Sequence, residues 1–223
     1  MMTNLFSTFD PATSMKLSMN WMSSVTSFLL IPIAFWTLPN RIMMISELIN
    51  KTLHEEFKTL MGQKAWGMTL MMITTFNLIF INNIMGLMPY IFTSSSHLTF
   101  SLTLALPLWL STMLYGWTNK TNSMFSHLVP TGTPTVLMPF MVIIETVSNL
   151  IRPGSLAVRL TANMIAGHLL MSLLGNNSIN SNSMILPMIM MIQMTLMMFE
   201  SAVAIIQAYV FSVLSTLYAS EVI

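Results

Sequence analysis

The 223-residue sequence contains no cysteine. Disulfides, thiolate metal sites and cysteine nucleophiles are thereby excluded, although the absence names no compartment. Charge is nearly as scarce. Asp, Glu, Lys and Arg make up 7% of the chain, against about 25% in soluble domains. Hydrophobic residues make up 54% and the mean hydropathy is +0.73, so the solvent of this chain is lipid. The net charge of +1 comes with no basic cluster, which speaks against nucleic acid as a partner. The four histidines, His54, His97, His127 and His168, fall in separate segments. Paired haem ligation is not expected, and neither a metal nor a cofactor is read from the sequence. The first twenty residues hold only Asp10 and Lys16 as charges, without arginine, and match neither a secretory signal nor a transit peptide. Methionine is abundant, at 26 residues, and takes the place of Leu and Ile in many apolar stretches. This fits the coding bias of an organelle genome that reads an isoleucine codon as methionine.

The apolar stretches run continuously instead of alternating, which argues for helices over a barrel. A span needs about 20 residues, so the length allows five or six. The first is expected at 21–38, ending before Pro39. Segment 41–61 differs in kind. Ile42, Ile45, Ile49, Leu53, Phe57 and Leu60 recur at spacings of three and four, with Glu47, Lys51, Glu55 and Lys58 on the other side. Such a helix lies on a membrane surface or packs on a partner, and the pattern alone supports both equally. Further spans are expected at 68–88 and 98–115. Asn77, Asn82 and Asn83 in the former read as hydrogen-bond partners for neighbouring helices. A polar loop is expected at 118–133, and a turn from Gly175 to Ser183.

The remaining apolar regions are 135–174 and 184–218. The first is interrupted by Arg152-Pro153-Gly154 and reads either as two short spans or as one long, tilted helix kinked at Pro153. Helical phase favours one helix. Ser148, Arg152, Ser155, Arg159, Ala162, Asn163 and Ala166 then form one continuous face of small and polar side chains, which a turn would scramble. The expected fold is an all-α membrane protein, a single membrane domain over 1–223. It carries a surface amphipathic helix and a C-terminal hairpin of two long tilted helices. Segment 39–65 holds Arg41, Lys51, Lys58 and Lys64, half of all Lys and Arg, and is placed inside. With five passes the N-terminus is outside and the C-terminus inside.

Arg159 sits within one of the most apolar parts of the chain. Arginine does not deprotonate in proteins. At the centre of a membrane helix it costs roughly 2.5–3.5 kcal/mol on insertion scales, so it normally faces protein or a water-filled path and marks function. The plain alternative is an arginine near a helix end that snorkels to the surface. Glu145, His168 and Glu200 also fall in the last two apolar regions, and Glu221 closes the chain. Gln193, Glu200, Gln207, Leu214 and Glu221 recur every seven residues, nearly two turns, on one helix face. Glu145 lies about 21 Å before Arg159 along a helix and His168 about 13–14 Å beyond it. The groups are spread across the membrane, unlike an active site.

The run from Ser155 to His168, SLAVRLTANMIAGH, the run from Glu200 to Phe211, ESAVAIIQAYVF, and Asn82 to Tyr90, NNIMGLMPY, together resemble subunit a of the F-type ATP synthases in its mitochondrial form. The resemblance covers essentially the whole chain. It implies a proton-translocating stator subunit of the membrane sector, not catalytic by itself, in the mitochondrial inner membrane. The N-terminus would face the intermembrane space and the C-terminus the matrix. The implied partners are a ring of proteolipid c subunits, other membrane-sector and peripheral-stalk subunits, the bilayer, and protons as the transported species. Arg159 matches the arginine that separates two half-channels and meets the ring carboxylates. His168 and Glu200 match the intermembrane-side channel, Glu145 and Glu221 the matrix side, and Asn163 and Gln207 polar neighbours of the arginine. Small Ser148 and Ser155 would let a neighbouring helix slide past, or serve ordinary close packing. If the last two helices fold back about residue 183 or 184, one register pairs His168 with Glu200, Arg159 with Gln207 and Glu145 with Glu221. A stand-alone proton channel or secondary transporter remains the alternative. No internal repeat supports it, and Arg159 has no obvious acidic partner within the chain.

Overall fold

The computed structural model describes residues 5–14, 17–32, 38–62, 67–129 and 132–222. Among these residues there is no strand. Seven α-helices follow in order: α1 Met22–Leu30, α2 Arg41–Met61, α3 Met68–Leu87, α4 Leu98–Asn119, α5 Thr121–His127, α6 Met138–Asn180 and α7 Leu186–Val222. Short 3-10 turns precede α1 at Leu5–Phe9 and Met19–Trp21, and Ser94–Ser96 joins α3 to α4. Helices α3, α4, α6 and α7 are long and apolar enough to cross a membrane.

The region expected as one or two spans over 135–174 is one helix of 43 residues that continues through Pro153. Proline removes the bond to the carbonyl four residues back and bends a helix without necessarily ending it. The expected turn from Gly175 is corrected, since α6 runs on to Asn180 and only 181–185 turns. Within that run the Ser178 hydroxyl donates to the Gly175 carbonyl at 2.7 Å, so the helix itself satisfies the polar side chain. The expected loop 118–133 is also corrected, because α5 occupies part of it; 130–131 lie outside the described residues. In the first expected span α1 covers Met22–Leu30, the chain turns extended at Ile31, and 33–37 lie outside the described residues. Lys64, used in the charge argument, lies outside them as well.

The centre of the molecule is α3 against α7. Ala204, Ala208, Ser212, Ser215 and Ala219 form a buried stripe of small residues on α7, which lets backbones approach in lipid. Phe76, Ile79, Leu156, Ala157, Leu160 and Phe211 fill the core around it. Of the three α3 asparagines expected to join helices, two do so, whereas the Asn82 side-chain nitrogen is buried without a hydrogen-bond partner among the described residues. Asn77 donates to Asn50 of α2 at 2.9 Å, and Asn83 donates to the Ala204 carbonyl of α7 at 3.4 Å.

Helix α2 packs by its C-terminal half. Phe57 is 0% exposed and Leu53 and Met61 are buried, whereas Ile42 and Ile45 stay open at 74% and 62%. Tyr209 of α7 donates to Glu56 at 3.1 Å and ties the same half down.

Candidate functional site

The long hairpin of α6 and α7 carries Glu145, Arg159, His168, Glu200 and Glu221, the five ionisable groups to which the resemblance gives a role. Because α6 is continuous, the helical spacing from Glu145 through Arg159 to His168 applies without interruption. Arg159 lies on an exposed face of α6, with Ser155, Ala162 and Ala166. It forms no hydrogen bond or ion pair among the described residues. The expected neighbour Gln207 is half-buried on α7, and no hydrogen bond joins it to Arg159; Asn163 is likewise half-buried. The hydroxyls of Ser148 and Ser155 donate to their own helix, at the carbonyls of Glu145 (3.2 Å) and Arg152 (2.9 Å).

Beyond Arg159, towards the C-terminal end of α6, lies a cleft of about 720 Å³. Its polar lining includes His168, Ser172, Gln193, Asp10, Asn20 and Thr93. The N-terminal turn reaches this cleft directly: the Phe9 ring meets the His168 ring edge-on at 6.3 Å between centroids. Glu200 is buried, and among the described residues neither of its carboxylate oxygens has a hydrogen-bond partner, nor does Nε2 of His168. The Glu200 side chain packs against Gly167, so closely that a Cβ on that residue would collide with the carboxylate. The expected hairpin register is thus met at this end, with Glu200 against the residue next to His168, although the two side chains form no direct hydrogen bond.

Before Arg159 lies a second cleft, of about 620 Å³, lined by Glu145, Asn149, Arg152, Tyr218 and Glu221 together with α4 and α5 side chains that include His127. Glu145 and Glu221, expected opposite one another, do meet here, but through an intermediary. Arg152 pairs with Glu145 at 3.5 Å through Nη2 and with Glu221 through Nη1. Its guanidinium also lies over the Tyr218 ring at 4.8 Å. Arg159 lines neither cleft.

Sequence reasoning treated Arg152 as part of a break and of a polar face, and missed its role as an acid partner. A signal was present: Glu145, Arg152 and Arg159 recur every seven residues along one helix. Asp10 and the buried polar group Thr93, Ser94, Ser95 and Ser96 beside α3 and α6 were also missed. Polar, non-periodic segments carry no sequence signal for where they pack. Along the seven-residue series on α7, Glu200 is buried, Gln207 half-buried and Glu221 exposed, yet Glu200 packs on Gly167 and Glu221 pairs with Arg152, both of α6.

Residues 17–220 match the family described as ATP synthase A chain. The chain is 64% identical to ATP synthase subunit a of Anopheles quadrimaculatus, over 100% of both chains. The corresponding proteins of Drosophila melanogaster and Locusta migratoria are 59% and 58% identical, again over 100% of both chains. A match of this extent shows that the chain belongs to the ATP synthase A chain family.

Proposed function

We propose that this chain is the proton-translocating stator subunit of the membrane sector of an ATP synthase, in the mitochondrial inner membrane. The observation that carries the reading is the position of Arg159, unpaired on an exposed face of α6, between two clefts that flank it along the helix. The N-terminus faces the intermembrane space and the C-terminus the matrix. The exposed face around Arg159 meets a ring of proteolipid c subunits, each carrying one carboxylate. Other membrane-sector and peripheral-stalk subunits hold the chain still while the ring turns.

Protons reach the ring through the cleft at His168, with Glu200 beside it. They leave through the cleft at Glu145 and Glu221. A ring carboxylate surrounded by lipid favours its neutral form, and a nearby fixed cation favours the charged one. Approaching Arg159, the carboxylate releases its proton towards the matrix side; beyond Arg159 it takes up another. Because the two clefts are offset along α6 and Arg159 stands between them, a proton crosses only by travelling round the ring. The membrane potential supplies about 2.3 kcal/mol per charge per 100 mV to that passage. The chain performs no covalent chemistry itself.

Purification of the chain in its native assembly tests the reading. A small ring-forming proteolipid is expected to accompany it, and vesicles holding the assembly are expected to make ATP from an imposed proton gradient. A stand-alone channel or transporter would conduct protons without the ring, and that result would overturn the proposal.

A further inference from the structure

We propose that Arg152 is the positioning residue of the matrix-side cleft, gathering Glu145 and Glu221 into one proton-accepting cluster. The inference rests on the half-channel reading and extends it to a residue with no part in that reading. Arg152 divides its guanidinium between two acids on two helices, Nη2 to Glu145 of its own helix and Nη1 to Glu221 of α7. Tyr218, one turn before Glu221, caps the guanidinium from α7. The remaining titratable group on the cleft wall is His127 of α5, and Asn149 adds a buried carbonyl oxygen without a hydrogen-bond partner.

With both carboxylates charged and Arg152 cationic, the cluster has a formal charge of −1, so one proton makes it neutral. Arg159, two turns further along α6, takes no part in it. Arg152 thus holds two carboxylates without leaving two bare charges beside an apolar wall, where an unpaired charge is costly. The planar fork suits this task, because separate nitrogens serve the two acids at once.

The test is the rate of ATP synthesis by the assembled complex in vesicles, measured against pH on the matrix side. In Arg152→Gln the cluster has a formal charge of −2 and holds its proton more tightly. The expected profile is displaced by about one pH unit or more towards alkaline matrix, with synthesis at least tenfold slower at neutral matrix pH. In Arg152→Lys the formal charge stays at −1, and the profile should stay near that of the wild type. A mere staple between α6 and α7 predicts instead a loss in Arg152→Gln that is indifferent to matrix pH. Either that result or an unchanged profile in Arg152→Gln overturns the proposal. If Arg152→Gln fails to assemble, Arg152→Lys decides: the charge role requires that it assemble with a profile near the wild type, and failure of Arg152→Lys as well refutes the role. Arg159→Ala measured alongside keeps the two readings apart. Normal synthesis there sinks the half-channel reading, whereas a dead Arg159→Ala with an unaltered Arg152→Gln profile sinks only this one.

Discussion

The two ends of α6 handle acidic groups in opposite ways. At the His168 end, Glu200 is buried without a hydrogen-bond partner, against a glycine that leaves it just enough room. At the Glu145 end, two carboxylates share one guanidinium on the wall of an open cleft. Between them Arg159 is the reverse of both, a cation with no acid. The difference lies in where each charge finds its partner. Charges compensated within the chain sit at one end, an uncompensated acid sits at the other, and the uncompensated cation lies where a second protein can supply its partner.

The most damaging way to break this contrast is to remove the unpaired cation. Arg159→Ala is expected to abolish proton-driven ATP synthesis while the chain still inserts and assembles. Passive proton leak through vesicles should rise, because protonated ring sites could pass directly between the clefts. Arg159→Lys should fail substantially too, since lysine can lose its proton in an apolar site and offers a point charge in place of a fork. A purely structural arginine predicts the opposite, because deleting a costly charge would be tolerated.

At the His168 end, Glu200→Gln keeps the shape and removes the proton-carrying group. Synthesis is expected to fall by about ten- to a hundredfold, in line with the loss of a positioned acid–base group, with leak unchanged. Normal synthesis would show that the buried acid lies off the path.

Gly167→Ala sharpens the same contrast without touching an ionisable group. The new methyl group collides with the Glu200 carboxylate, which must swing away. We expect synthesis several-fold below wild type with normal assembly. Gly175→Ala, two turns on, serves as the control, since a Cβ there meets nothing within 4 Å.

The smallest effect is expected away from both clefts. Tyr209→Phe removes the hydrogen bond to Glu56. The expected cost is about 0.5–1.5 kcal/mol of stability, seen as a lower melting temperature of the complex, with synthesis within twofold of wild type. A large loss of synthesis would mean that the surface helix takes part in proton transfer. For the topology, a label at position 51 is expected to react from the matrix side alone.

Much of this fold was legible in the sequence because helix formation in lipid is local. Each backbone group must be satisfied within its own segment. Apolar runs and the three-four spacing of 41–61 therefore located α2, α3, α4 and α7 to within a few residues at most of their ends. Phase continuity of the polar face across Pro153 identified α6 as one helix, and Asn77 and Asn83 were recognisable as interhelical donors. Arg159 stood out by its cost alone. What the tertiary structure decided was pairing. The α7 series that looks uniform in sequence leads from the buried Glu200 to the exposed Glu221. That Glu221 meets Arg152 depends on how α6 and α7 cross. So does the packing of Phe9 and Asp10 around His168, which joins segments more than 150 residues apart. Sequence periodicity fixes which face of a helix is polar; only the packing of helices determines what that face meets.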